Sequence, residues 1–368
     1  MKICMNWIKA LSGLLGRTLL IWLTLDFFAG NYILSISGLA KNTGGGVKHD
    51  VYHHDLKPSF SGKAGWGYLE YEICTNEFGF RDKCEQDAQI KSKELDVAFL
   101  GDSFTQGVGI DWDKTYVGLA SLSLNKMKVA NLGVNSYAAS IYYSKLKYLL
   151  NEGFQINDLV VALDISDISD EARRYVLLED GTVKDRKEPR TLDQIKKFNE
   201  WAFPFTYRLN RLYRDFKKQS VHKVKTVKEM HRMDNPQYAW TYNDYPAEEF
   251  YGFVSSREAL DISRKHMTML SNLAKANNIR LHLMVYPWPA QILYDNVDSL
   301  QSKFWKEFCN SNCYEFIDTF PDFFAEAKHV GKENFVESMY IPNDVHFNEE
   351  GNEFLFRSLK RNSKLFSK

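Results

Sequence analysis

The sequence predicts an α/β protein, a doubly wound parallel five-stranded sheet of flavodoxin-like type, carried on an N-terminal membrane anchor. Three observations point to this. From about residue 95 onward, short apolar runs alternate with amphipathic stretches. An apolar stretch at residues 18–40 follows a basic N-terminus. A Gly-Asp-Ser turn lies near one end of the alternating region, and an Asp-Val-His segment lies near the other. The composition is globular, with 368 residues, 44% hydrophobic and 26% charged. Net charge is zero, which leaves no electrostatic case for nucleic acid as a partner. The 20 Tyr, 25 Phe and 8 Trp would suit a sugar-binding cleft if exposed, and ordinary core packing otherwise.

The first segment, residues 1–40, reads as a cytoplasmic tail and a transmembrane helix. Lys2, Lys9 and Arg17 precede TLLIWLTLDFFAGNYILSISGLA, long enough to span a bilayer. Basic residues in front place the N-terminus in the cytoplasm and the remainder in the periplasm, as a single-pass inner-membrane protein. A cleaved signal peptide is the rival, but no small-x-small site follows closely. Asp26 lies inside the span, which implies either a shifted span or a pairing group on a membrane partner. Residues 41–94 read as a linker, beginning KNTGGG, and an extension. His53 and His54 there are paired loop histidines that reach a ligand or simply pack. Arg81 is expected in a structural salt bridge, with binding of a carboxylated sugar as the alternative. Beyond the span the cysteines form two local pairs in sequence, Cys74 with Cys84 and Cys309 with Cys313. An even count fits disulfides in an oxidising compartment. The spacing lacks a Cys-x-x-Cys pair and no His cluster accompanies it, so no metal is expected.

Residues 95–368 form the predicted catalytic domain. Its strands are expected at 96–100, 129–132, 159–163, 280–286 and 315–317, with helices at 116–127, 141–151, 258–277 and 349–360. Strands alternating with helices wind a parallel sheet. Ser255 and Glu258 have the spacing of a capping box. Leu260, Met267, Leu270 and Ala274 then form an apolar stripe. Residues 170–255 interrupt the rhythm and read as an aromatic, helical insertion over the edge of the sheet where ligands bind.

Chemistry is concentrated in two phrases, DVAFLGDSFTQGVG at 96–109 and NDVHFNEEGN at 343–352. Ser103 follows an apolar strand, so it stands at the carboxyl edge of the sheet, where open α/β folds bind ligands. A serine hydroxyl needs a base to become a nucleophile. His346 can be that base, and Asp344 can orient it and offset its charge. The bland alternative is an ordinary turn and an approach to the last helix, for which Asn348 is a good N-cap with Glu349 and Glu350 in the first turn.

These phrases resemble those of the SGNH (GDSL-like) hydrolases. GDSFTQG matches the family's first block, and VHFNEEGN its last, in which an Asp lies two or three residues before the His. Asn343 occupies the position three before, so the carboxylate Asp344 takes the role of the acid. The second block's glycine N–H corresponds to Ser136 in VANLGVNSYAAS. The third block's Asn corresponds to Ser166 in LDISD. The resemblance implies an oxyanion hole from Ser103, Ser136 and Ser166, with Asn135 as a substitute donor. Loss of one such donor typically weakens the transition state by about 3–4 kcal/mol. It also implies serine-dependent acyl chemistry without a cofactor. The expected function is acyl, chiefly acetyl, transfer to an extracytoplasmic polysaccharide, beside a polytopic membrane acyltransferase. A carbohydrate acetylesterase is the alternative, and a decayed glycan-binding protein a further one.

Overall fold

The computed structural model describes residues 2–33, 44–67, 69–186, 198–199, 201–210, 213, 226–241 and 254–367. The chain divides into two units, one of Met1–Asn42 with Lys187–Lys223, the other of Thr43–Arg186 with Val224–Lys368.

In the first unit, helix Lys2–Phe28 runs into a single π turn, Ala29–Ile33. Within it Gly13–Tyr32 is long and apolar enough to cross a membrane, with a mean hydropathy of 1.3. Leu14, Leu15, Leu19, Leu20, Ile21 and Leu25 project outward along it. Asp26 has its partners within this same unit. Its carboxylate accepts the backbone N–H groups of Phe205 and Thr206, each at 3.0 Å, and the Thr206 hydroxyl. Pro204 opens the helical stretch 204–210. Asp26 therefore satisfies N–H groups that a helix leaves open at its start, where the dipole favours an anion. Gly30 permits the approach, since a Cβ there would lie 2.5 Å from the Phe205 nitrogen. Trp22 packs on Phe203, and Arg208 donates to the Gly30 carbonyl at 2.6 Å.

The second unit opens with a hairpin, β1 Gly46–His49 and β2 His53–Leu56. Then β3 Ser61–Trp66, β4 Leu69–Thr75 and β5 Arg81–Asp82 run antiparallel. Next come β6 Glu94–Leu100, β7 Val129–Asn131, β8 Gln155–Leu163, the small pair β9 Tyr175–Leu177 and β10 Val183–Asp185, and finally β11 Arg280–Val285 and β12 Glu315–Asp318. The main sheet has the order β12-β11-β8-β6-β7-β5-β4-β3. β12, β11, β8, β6 and β7 are the five parallel strands expected, in flavodoxin-like order. The sheet does not end there. Arg81 pairs antiparallel with Asn131, so the extension adds three strands at the β7 edge and the sheet has eight.

Beyond the sheet, helices 139–151, 165–173 and 256–276 pack together, and helices 116–123, 320–330, 332–339 and 349–362 form a second group. The Ser255 hydroxyl caps helix 256–276 by accepting the Glu258 N–H at 3.1 Å. Both cysteine pairs are disulfides, Cys74–Cys84 and Cys309–Cys313. The expected helical insertion at 170–255 is revised. Its first residues finish helix 165–173, and β9 and β10 form an antiparallel hairpin. Residues 226–241 hold two single-turn helices, and 187–223 fall in the first unit. Residues 242–253, and 41–43 of the expected linker, lie outside the described residues.

Candidate active site

β6 delivers the chain to the carboxyl edge, and Gly101 lets it turn at once. A Cβ at that position would lie 2.0 Å from Thr105 Oγ1. Asp102 then caps the four-residue helix Ser103–Gln106, accepting the Phe104 N–H at 3.0 Å. Ser103 is the first helical residue and is 5% exposed, and its own N–H is among those a helix start leaves open. Arg81 fixes the exit from this helix. Its guanidinium donates to the carbonyls of Gln106, Gly107 and Ile110 and stacks over Tyr71. The expected salt bridge is therefore replaced by a cage of carbonyls. Burial lowers the Arg81 pKa to about 10, which still leaves it charged at neutral pH.

The other phrase arrives from the far end of the domain. Helix 349–362 begins at Asn348, whose side chain accepts the Gly351 N–H at 2.9 Å. Just before it, His346 Nε2 lies 2.7 Å from Ser103 Oγ. His346 Nδ1 lies 2.5 Å from Asp344 Oδ1. The same carboxylate oxygen accepts the N–H groups of Val345 and His346. Burial pushes the Asp344 carboxyl up, but the hydrogen bond and charge of His346 and these two N–H groups outweigh it and hold it below the usual range. Asn343 occupies the left-handed turn before it, at φ 62°.

Two residues of this cluster were not anticipated from sequence. Trp66, at the end of β3, donates its indole N–H to Asp344 Oδ2 at 3.0 Å and sets its ring edge-on to His346. His231 is buried and close enough to Asp344 to feel its charge; burial dominates and lowers its pKa to about 4. Phe104 packs on the His346 ring, at 4.5 Å between centroids.

On the oxyanion side, Ser136 has φ 64°, the left-handed conformation that glycine tolerates best. The Asn135 N–H is engaged by Gln106 Oε1 at 2.7 Å, and its side-chain oxygen accepts the Ser136 hydroxyl at 3.2 Å. Ser166 departs from expectation. Its hydroxyl donates to Asp164 at 2.6 Å, which commits its one proton to a carboxylate rather than to an oxyanion.

Asp102, Asp164 and Asp167 are buried together, with carboxylate oxygens within 4.8 Å of one another. Each has donors of its own. Trp288 Nε1 and the Ser166 N–H serve Asp164, and Tyr142 and the Asp164 N–H serve Asp167. Burial first, and mutual repulsion second, push Asp102 and Asp167 well above the carboxylate range. Asp102 Oδ2 accepts the Ser103 hydroxyl at 3.1 Å, so that hydroxyl lies between this carboxyl and His346 Nε2.

The sheet order is flavodoxin-like, with the serine turn after β6, the Asp164–Asp167 turn after β8 and the Asp–His pair before the last long helix, as the sequence resemblance to SGNH hydrolases implies. Similar solved structures include a catalytic mutant of Axe2, an acetylxylan esterase from Geobacillus stearothermophilus, at 13% identity over 73% of this chain and 93% of that one, with a TM-score of 0.40. A G-D-S-L family lipolytic protein from Veillonella parvula is 10% identical over 72% of this chain and 96% of that one, with a TM-score of 0.40. A G-D-S-L family protein described as lipolytic from Desulfitobacterium hafniense is 12% identical over 73% and 100%, with a TM-score of 0.35. No protein-family model matches the sequence, and no curated protein matches it.

Proposed function

We propose that this chain transfers an acyl group, most simply acetyl, to a hydroxyl of an extracytoplasmic polysaccharide through an acyl-Ser103 intermediate. The observation that carries the reading is the unbroken line from Ser103 Oγ to His346 Nε2 and from His346 Nδ1 to Asp344. As Ser103 Oγ attacks the donor carbonyl, its proton passes to His346 Nε2. Asp344 stabilises the imidazolium that forms. The carbonyl oxygen gathers negative charge, which the N–H groups of Ser103 and Ser136 are assigned to receive. Collapse of the tetrahedral intermediate breaks the bond to the leaving group, which takes the proton from His346. In the second half, a sugar hydroxyl gives its proton to His346 and attacks the acyl-serine, releasing the acylated sugar and Ser103.

Support for transfer over hydrolysis comes from the apolar N-terminal helix, which would keep the site beside a membrane-bound acyl donor. Asp26 gives no further support to a membrane partner, since its carboxylate is satisfied within its own unit. The acetylesterase reading differs only in using water at the second step. A chromogenic acetyl ester, assayed with and without surface glycans, separates them. Slow release that quickens with the right glycan, with acetyl found on the sugar by mass spectrometry, is the expected result. Ser103→Ala should abolish both activities and fluorophosphonate labelling. Rapid deacetylation of acetylated glycans with no acceptor ever acetylated would put the esterase in its place.

A further inference from the structure

We propose that His54, held by His53, is a positioning residue that clamps the Asn135–Ser136 peptide and so aims the Ser136 N–H at the acyl oxyanion. This rests on the acyl-serine reading of the site. His54 Nε2 lies 2.8 Å from the Asn135 carbonyl oxygen. A trans peptide is planar, with its C=O and N–H pointing opposite ways. Fixing the Asn135 oxygen therefore fixes the direction of the Ser136 N–H. A hydrogen bond to that oxygen also polarises the amide and makes its N–H a stronger donor.

The clamp has three supports. Ser136 is held left-handed at φ 64°, a conformation that persists in a non-glycine residue only when its surroundings impose it. Tyr175, on β9, donates its hydroxyl to the Ser136 carbonyl at 2.7 Å and so fixes the next peptide as well. Behind His54, the two Nδ1 atoms of His53 and His54 lie 2.8 Å apart, and His53 Nε2 lies 3.1 Å from Asp185 on β10. Burial lowers the His54 pKa to about 4, so at neutral pH the ring carries one proton. With that proton on Nε2 for the carbonyl, Nδ1 is the acceptor nitrogen that faces His53. His53 itself is left-handed at φ 77°, and the two rings meet edge to face. Strain at both ends of this line, which the Asn135 N–H ties to Gln106 of the Ser103 helix at 2.7 Å, is the pattern of a built site.

The test uses the full chain in detergent, with kinetics on p-nitrophenyl acetate. His54→Ala should lower kcat by roughly tenfold to a hundredfold, less than deletion of a whole oxyanion donor. KM and the thermal midpoint should stay near wild type. His54→Gln, whose side-chain N–H can reach the same carbonyl, should recover most of the loss. Tyr175→Phe keeps the ring and should lower kcat in the same direction. Wild-type kcat in His54→Ala would overturn the clamp. So would a Gln variant no better than Ala, or a change confined to KM or to melting. Absence of Ser103-dependent turnover and fluorophosphonate labelling in the wild type would overturn the acyl-serine reading and the clamp with it. A labelled, active wild type beside an unaffected His54→Ala would overturn the clamp alone.

Discussion

At the scale of single residues, the proposed acid of the Ser–His–Asp line is the position that can be ranked most sharply. Asp344 is the residue on His346 Nδ1, and Asn343 occupies the turn before it. Asp344→Asn should lower kcat by about 10⁴, because the amide favours the wrong imidazole tautomer. Asn343→Ala should lower it far less, and a steady-state comparison in which Asn343→Ala is the more damaging would mean the acid is misassigned. Trp66→Phe removes a hydrogen bond to a carboxylate while keeping an aromatic ring near His346. Such bonds contribute about 1.5–3 kcal/mol, so kcat should fall by about tenfold or more. Unchanged kinetics would reduce Trp66 to packing. Ser103, Asp344 and His346 were legible in sequence because a Gly-Asp-Ser turn and an Asp-x-His segment are local patterns. Trp66 was not, because it lies 278 residues from its partner and no short pattern joins them. His54 was visible as one of a pair, but its partner, the Asn135 carbonyl, is backbone and leaves no mark in the sequence.

Among the elements, the parallel strands were readable as apolar runs, since both faces of such strands are covered. The extension was not read as strand, although a signal was present. In β4, Leu69, Tyr71 and Ile73 turn inward while Glu70 and Glu72 face out, the period-two alternation of a half-covered strand. The insertion misled because its aromatic content suggested one helical body, whereas its segments join different units. β8, β11 and β12 also share a buried charge network. His282 lies 2.9 Å from Asp158 and 2.8 Å from Glu315, and Arg280 grips Asp158 with two bonds of 2.5 Å. Burial alone would lower the His282 pKa, but its two carboxylate partners outweigh this and raise it. The same contacts outweigh burial at the carboxylates and lower Asp158 to about 2, with Glu315 lowered as well. The His282 contribution is complete below the unfolded histidine value and is lost as pH rises through its folded one. The carboxylate contributions are present above the unfolded carboxylate values and are lost as pH falls through their folded ones. His282→Leu should therefore destabilise on the order of 3 kcal/mol near pH 5.5 and distinctly less at pH 9. Urea unfolding at both values checks this, and an equal loss at each would contradict the network's charge.

For the whole molecule, the expected arrangement is a short cytoplasmic tail, one membrane crossing and everything after it in the periplasm. A reporter active only in the periplasm, fused after Lys368, should be active. A silent reporter on a well-expressed fusion would refute that orientation. The two disulfides agree with an oxidising compartment and should resist formation if the chain is held in the cytoplasm. The separation of Ser103 from His346 also has a meaning in time. Ser103 precedes His346 by 243 residues. At roughly 5–20 residues per second, about 12–50 seconds of synthesis pass between them. Throughout that interval a nascent chain carries a serine with no histidine to activate it. On the acyl-serine proposal, acyl donors met in that interval would go unspent on half-made protein, and the first turnover would wait until the domain had closed on helix 349–362.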